Sequence, residues 1–376
     1  MNDVTSWFSA VLIGGMLLIS LCLWTYVIRR QRSGQLHFFS ARERPKLPLG
    51  LIDVLLAFVM WMMGQMVGLA ITFAILGVDE LSPKSMTAAQ HTVLGFSVGI
   101  CTVVSTVLIL AYLYGRYQNP KVFGGSLKHL SRDIGLGCLV FMCFVPVTFL
   151  VQAALTQVWD YEHPTLDLIS PDASLLTILS AWWMAVLVAP ISEEIFFRGV
   201  LQGWLSRLFV NNVRLETKLT GGWPGRHSDL AHVTSEKQPD KHQGPMSAGE
   251  RASAVAQGEQ NPYESPTHSA VEQRGCDESP LYVAQAWAPV VISSLMFGLV
   301  HLGQGPAPIP IFVFALGLGM IYRQTGRIVP CIVAHFLLNC FSMSVFTIEQ
   351  LFFPQDAVDA IPDLEPAVSW LASWIL

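Results

Sequence analysis

Long apolar runs separated by polar loops dominate the sequence. A transmembrane helix needs roughly 20 apolar residues to cross about 30 Å of hydrocarbon, and several runs reach that length. Only 13% of the residues are charged, against the ~25% that is usual in soluble domains. We therefore predict an all-α fold, a polytopic transmembrane helical bundle of about eight spans. The predicted spans are residues 7–28, 50–76, 91–115, 134–156, 174–192, 286–302, 308–322 and 328–346.

The distribution of lysine and arginine predicts the orientation in the membrane. The loops after the first, third and seventh spans are basic, whereas the alternate loops are acidic. Because cytoplasmic loops carry an excess of Lys and Arg, both termini are predicted to lie outside. Residues 1–46 would then be an N-terminal membrane anchor with a basic cytoplasmic loop. Residues 47–156 would be accessory transmembrane helices, and residues 347–376 an acidic and apolar C-terminal tail.

Residues 211–280 differ in composition from the chain around them. They are rich in Gly, Pro, Ser, Gln and charged residues and poor in aromatic ones. Such a segment buries too little apolar surface to offset its ordering entropy, so we predict a disordered cytoplasmic insertion. It contains four histidines at irregular spacing, which favours a solvated loop over a metal site. Its role is open between a lid, a docking segment for a cytoplasmic partner and an inert spacer.

The charge balance and the cysteines exclude several function classes. A formal net charge of −5 provides no global basic field for nucleic acid, so no nucleic-acid partner is expected. No C-x-x-C pair occurs among the seven cysteines, which argues against a disulfide framework and a zinc finger. The lipid bilayer is the one partner that composition itself predicts.

The first of three unusual polar motifs ends the apolar run 174–192, which we expect to continue as helix. Glu193 and Glu194 are followed by Arg198. Glu194 and Arg198 are four residues apart, so they share a helix face and can form an ion pair. Glu193 points elsewhere and lacks that partner, which leaves it available as a general base. The alternative is an interfacial charge cluster, with Arg198 extending to the lipid head groups.

Two further motifs place histidines inside predicted spans. Phe297 and His301 are four residues apart, and so are His335 and Asn339, so each pair shares a helix face. Phe297 is expected to pack beside His301. Ionisable groups inside a membrane cost about 2.5–3.5 kcal/mol each on insertion scales, so they need a partner, a cavity or a function. Taken singly, each histidine could be a hydrogen-bonded packing residue; with the glutamates they supply the parts of a water-activating hydrolytic site.

Other polar or aromatic residues at membrane level have simpler interpretations. Asp53 and His91 lie near the ends of predicted spans and are interpreted as interfacial or structural residues. The Trp182-Trp183 pair is interpreted as an interfacial or packing feature.

In their order along the chain, the three motifs resemble the signature motifs of the CPBP (Abi) family. These intramembrane proteases include the type 2 CAAX prenyl endopeptidases and bacterial relatives linked to bacteriocin processing and immunity. Pro190, Phe197 and Gly199 also match the family's first motif. The resemblance implies that residues 157–346, interrupted by 211–280, form a catalytic helical core with a cavity open toward the cytoplasm. The family joins its first two motifs by a short connection, so the long insertion departs from the pattern.

The resemblance implies an intramembrane endopeptidase acting on a membrane-embedded or membrane-anchored protein or peptide, CAAX-like or otherwise. Carried over by position, Glu193 would activate a water and Asn339 would donate to the developing oxyanion. His301 and His335 would position the water or, with Glu193, ligate zinc or another divalent metal. The bracing residues would be the ion pair Glu194–Arg198 and the ring of Phe297.

The residues leave alternatives open. The family is called metallopeptidase, but a metal-free Glu/His activation of water is equally compatible with this set. A non-catalytic membrane adaptor or bacteriocin-immunity factor on the same fold would use the insertion for docking. An ion or proton transporter is a third alternative, although no inverted repeat is visible in the sequence.

Overall fold

The structure is a computed structural model that describes residues 2–33, 48–78, 86–118, 129–158, 174–209, 215–221, 280–303 and 305–352. All regular secondary structure in these ranges is helical, which confirms the all-α prediction. The helices are α1 (Asn2–Arg32), α2 (Leu51–Leu76), α3 (Ala88–Tyr117), α4 (Leu130–Thr156), α5 (Leu175–Leu208), α6 (Leu215–Thr220), α7 (Pro280–Leu299), α8 (Pro308–Thr325) and α9 (Val329–Phe352).

Five of these helices are long and apolar enough to cross a membrane. They are Leu51–Leu76, Ala88–Tyr117, Leu130–Leu155, Leu175–Leu208 and Val329–Ile348. Every predicted span corresponds to a described helix, but the predicted number of about eight is not confirmed. The apolar part of α7, Trp287–Leu299, is one of the shorter apolar helices. The predicted orientation of the termini stays a prediction.

Local sequence signals set several helix ends. At the start of α3 the Thr87 hydroxyl accepts from the Gln90 backbone N–H, while the Gln90 side chain accepts from the Thr87 backbone N–H. This reciprocal arrangement satisfies two donors that helix geometry leaves unpaired. Gly77 and Gly326 end α2 and α8 in the left-handed conformation, with φ of 63° and 62°. Glycine adopts this conformation without the steric penalty of a Cβ.

Small residues bring α2 and α3 together. A Cβ added at Gly68 would lie 2.5 Å from the Cα of Val98, and one at Gly64 would lie 2.5 Å from the Ser105 hydroxyl. Close backbone approach of this kind drives helix association where apolar burial provides no net force. α5 packs against this pair and against α8 and α9, so the helix with the two glutamates lies in the interior of the bundle.

Asp53 is a structural residue at the start of α2. Its carboxylate is fully buried and accepts hydrogen bonds from the Gly50 N–H, the Tyr112 hydroxyl and the Tyr117 hydroxyl at 2.7, 2.7 and 2.5 Å. It also forms an ion pair with Arg116 at 2.9 Å. The network therefore joins α2 to the end of α3.

The same region holds the short helix α6, which lies within the insertion predicted to be disordered. Arg116 donates to the Thr220 carbonyl, and Trp204 donates to the Lys218 carbonyl at 3.0 Å. Lys218 donates in turn to the Leu208 carbonyl at the end of α5, at 2.8 Å. The prediction of disorder is wrong for residues 215–221, which include this helix. Side chains of α3 and α5 donate to the carbonyls of Thr220 and Lys218 in it. Residues 222–279 lie outside the described residues.

The other membrane-level residues are packing features. His91 is buried at the start of α3, consistent with a structural role. Trp182 donates to the Thr347 hydroxyl at 3.1 Å, which ties α5 to α9. Trp183 occupies the space beside Gly99 on α3, so both tryptophans are packing residues.

Candidate active site

α5 is not a uniform α-helix. Two π-helical segments, Trp183–Val188 and Ile195–Gln202, flank the short α-helical segment Ala189–Glu194 that ends with both glutamates. π-helical turns are rare in proteins as a whole, and those that occur often lie at functional sites. As expected from sequence, the helix continues through the polar residues to Leu208. The glutamates therefore lie near the middle of a 34-residue helix.

Glu194 is fully buried and has two partners. Its Oε2 lies 3.2 Å from the Nε of Arg198, as the i, i+4 spacing predicts. Its Oε1 lies 3.0 Å from the Nδ1 of His335, which joins α5 to α9. Arg198 has an exposed fraction of 0%, so the alternative in which it reaches the lipid head groups is wrong.

The Arg198 guanidinium lies against an aromatic ring. Its central carbon is 4.8 Å from the ring centroid of Phe297, a cation–π geometry. Phe297 is 2% exposed and contacts Phe197 edge-on, with ring centroids 5.0 Å apart. The three guanidinium nitrogens make no hydrogen bond with the residues that the structure describes. The ion pair to Glu194 and the Phe297 ring are thus what stabilise this buried charge.

Glu193 has a different environment from its neighbour. It is only partly buried and makes no hydrogen bond or ion pair within the described part of the chain. Its carboxylate interacts electrostatically with His335 and His301. One glutamate is therefore fixed by partners, whereas the adjacent one has no hydrogen-bond or ion-pair partner among the described residues.

His301 lies in the turn that follows α7, not on the spanning helix to which the sequence assigned it. Its Nδ1 is 2.8 Å from the carbonyl oxygen of Phe297, and the two rings are 5.3 Å apart. A carbonyl only accepts, so Nδ1 carries a proton. The same reasoning applies to His335, whose Nδ1 donates to Glu194. In the neutral form of each ring, Nε2 then bears the lone pair and is an acceptor.

Asn339 is held by a backbone carbonyl. Its Nδ2 donates to the carbonyl oxygen of Ala185 at 2.7 Å. Because that carbonyl only accepts, the bond fixes which way the amide is turned. The second N–H of Asn339 makes no hydrogen bond with the described residues.

Sequence reasoning missed two groups near the site. Ala185 was missed because a backbone carbonyl leaves no signal in residue identity. Gln202 is fully buried, donates to the Gly319 carbonyl at 2.8 Å and accepts from the Ser293 hydroxyl at 3.2 Å. Its position four residues after Arg198 was the available signal. It clamps the second π-helical segment to α7 and α8.

The predicted metal ligands do not form a ligand set in this structure. Two imidazole nitrogens and a carboxylate are the donor types of a catalytic zinc site. Among the residues that the structure describes, however, no three His, Cys, Asp or Glu side chains lie close enough together to hold a metal ion. As arranged, Glu193, His301 and His335 do not form such a set of metal ligands.

Comparison with known families places these residues in a wider context. Residues 175–221 and 274–341 match the model of the type II CAAX prenyl endopeptidase Rce1-like family. The matched segments cover less than half of the chain; they contain all three motifs and leave out most of the insertion. No curated protein and no solved structure matches the chain significantly. The family match confirms the resemblance to the CAAX proteases, and with the five apolar helices it indicates an integral membrane protein.

Proposed function

We propose that the chain is an intramembrane endopeptidase that hydrolyses a peptide bond of a membrane-embedded or membrane-anchored protein or peptide. The observation that supports the proposal is the difference in partners between the two adjacent glutamates. Glu194 is engaged by Arg198 and His335, whereas Glu193 has no such partner among the described residues and interacts electrostatically with both histidines. This is the arrangement that a general base beside a positioned water requires.

The proposed reaction begins with a water held between Glu193 and the histidines. Glu193 accepts one of the water's protons, and an Nε2 lone pair of His301 or His335 accepts a hydrogen bond from the other. The water oxygen attacks the carbonyl carbon of the scissile peptide bond. Glu193 then passes its proton to the departing amine, so that proton transfer is balanced over the two steps.

Asn339 stabilises the charge that develops on the carbonyl oxygen. Its amide is fixed by Ala185 and has one N–H available. Preorganised donors of this kind are worth ~10²–10³ in rate when the site excludes bulk water.

Glu194, Arg198 and Phe297 act on the reaction through His335. Glu194 fixes the tautomer and direction of the imidazole ring. Arg198 balances the charge of Glu194, and the Phe297 ring covers the guanidinium. Substitution of a residue that orients an active-site side chain in this way usually lowers activity by about 10–100-fold.

A comparison of protein termini in membranes tests the proposal without a known substrate. Cells would express the wild type, Glu193→Gln or the control Glu349→Gln, which removes a carboxylate near the C-terminal end of α9. New termini are expected with the wild type and the control and not with Glu193→Gln. Identical termini in all three, with each protein folded and abundant, would overturn the assignment. The non-catalytic adaptor would then be favoured, and deletion of residues 222–279 would test it.

A further inference from the structure

The carbonyl of Ala185 has lost both of its ordinary backbone donors. In an α-helix it would accept from the N–H of residue 189, and in a π-helical turn from that of residue 190. The Ala189 N–H instead donates to the Met184 carbonyl. Residue 190 is proline and has no N–H. The first π-helical segment therefore ends in a carbonyl that the helix itself cannot satisfy.

Asn339, on another helix and 154 residues away, supplies the missing donor at 2.7 Å. An unpaired carbonyl inside a membrane protein is strongly unfavourable, so this hydrogen bond satisfies the α5 backbone as well as the Asn339 side chain. Its direction leaves the second N–H of Asn339 for another acceptor. Asn339 thus replaces the donor that Pro190 lacks.

We propose that Pro190 is a positioning residue of the active site: by withholding a backbone N–H from the Ala185 carbonyl, it reserves that carbonyl for Asn339. Any other amino acid at this position would supply an N–H five residues after Ala185. In the π-helical register that N–H would donate to the same oxygen, so the carbonyl would no longer depend on Asn339 for a donor. The inference rests on the proposed function, in which Asn339 donates to the oxyanion.

A second intrahelical proline provides a matched control. Pro146 lies inside α4, and the nearby Cys143 carbonyl accepts hydrogen bonds from Ser20 and Trp24 of α1, each at 3.0 Å. That carbonyl joins α4 to α1, and its two donors are not residues of the candidate site. Substitution of Pro146 by alanine therefore tests the general effect of removing a proline from a helix of this protein.

The test is a double-mutant cycle on the purified full-length protein in lipid nanodiscs, with a peptide obtained from the terminus comparison. Pro190→Ala is expected to lower kcat between about tenfold and a hundredfold with KM unchanged. Pro190→Ala/Asn339→Ala is expected to fall no lower than Asn339→Ala alone, because both changes remove one interaction. Pro146→Ala is expected to stay within about twofold of the wild type. An unchanged kcat for Pro190→Ala, or additive losses in the double variant, would overturn the inference.

A backbone ester separates the missing N–H from the proline ring. Lactic acid placed at position 190 by cell-free translation differs from Pro190→Ala only in having an ester oxygen where alanine has the N–H. The ester protein is expected to regain wild-type kcat. If it is as slow as Pro190→Ala, the ring and not the missing N–H matters, and the inference is wrong.

Nuclear magnetic resonance of ¹⁵N-asparagine-labelled protein provides a readout that does not depend on activity. In the wild type, the Asn339 amide proton that is bonded to Ala185 should exchange with solvent more slowly than the other proton of the same amide. Equal exchange of the two protons would refute the inference even if Pro190→Ala does not fold. Slow exchange of one proton in a protein whose cleavage is unaffected by Glu193→Gln would contradict the proposed function and leave the Asn339–Ala185 contact standing.

Discussion

Nδ1 of His335 lies 3.0 Å from Oε1 of Glu194, across the interface between α9 and α5. The second oxygen of the same carboxylate forms the ion pair with Arg198. One fully buried side chain thus orients a histidine of the site and balances a buried cation. The adjacent Glu193 has neither task, and this difference leads to opposite predictions for the two glutamates.

Glu194→Gln is expected to lower stability and activity together. The change leaves the buried Arg198 charge without its partner, which costs about 3–5 kcal/mol in comparable sites. It also loosens His335, with an expected loss of about 10–100-fold in kcat. Thermal unfolding in detergent and a cleavage assay measure the two effects. An unfolding temperature equal to that of the wild type would contradict the role assigned to Glu194.

Glu193→Gln is expected to abolish cleavage while leaving the unfolding temperature unchanged. Its carboxylate makes no hydrogen bond or ion pair with the described residues, so its loss removes no stabilising contact. Retained shape with a lost proton acceptor is the signature of a general base. A large drop in thermal stability would indicate that Glu193 is a structural residue instead.

Phe297→Leu is expected to destabilise the fold through Arg198. The ring lies 4.8 Å from the guanidinium, and a desolvated cation–π contact is worth about 2 kcal/mol. Leucine keeps an apolar side chain in place but has no π face. The control is Phe314→Leu, because the Phe314 ring lies 6.1 Å from His335 and has no such cation contact among the described residues. Denaturant unfolding of both variants separates the loss of the cation–π contact from the loss of a buried ring. Equal losses for both variants would argue against the cation–π contact.

Asp53→Asn is expected to expose α6 to proteases. Asp53 holds Arg116 and Tyr117, and Arg116 in turn holds the Thr220 carbonyl. Limited proteolysis should then cut within residues 215–221 faster than in the wild type. The control is Asp133→Asn, which breaks the contact of Asp133 with Arg327 at 2.7 Å and leaves α6 alone. Equal cleavage in both variants would mean that the Asp53 network does not hold α6.

Removal of divalent metal is expected to leave cleavage unchanged. The described residues offer no set of three side chains that could hold an ion, and the proposed water activation uses Glu193 and the histidines alone. The measurement is kcat before and after dialysis against a chelator, with inactive Glu193→Gln as the baseline. Loss of activity that zinc restores would show that the histidines rearrange to bind it.

The predicted orientation can be tested with a single thiol. Cys276 lies in the insertion that the basic loops assign to the cytoplasmic side. In a variant that keeps only this cysteine, a membrane-impermeant maleimide should label lysed cells and not intact ones. Labelling of intact cells would reverse the orientation and place both termini inside.

The sequence by itself determined the helices and the identity of the candidate site residues. Apolar runs of bilayer length predicted every major helix, because hydropathy summed along a run is a local property. Spacing of four residues predicted the ion pair of Glu194 with Arg198, and the order of three motifs identified the family that the core matches. The helices and the ion pair depend on neighbours in the chain, and the motifs depend on residue identity and order alone.

Only the tertiary structure decided which partners those residues have. The contacts Glu194–His335 and Asn339–Ala185 span 141 and 154 residues and depend on how α5 and α9 are rotated against each other. That rotation is changed by the two π-helical segments, which a repeat of 3.6 residues does not reveal. Docking of α6 likewise depends on donors from α3 and α5. Residues 215–221, predicted from composition to be disordered, are ordered because the rest of the fold satisfies carbonyls of their backbone.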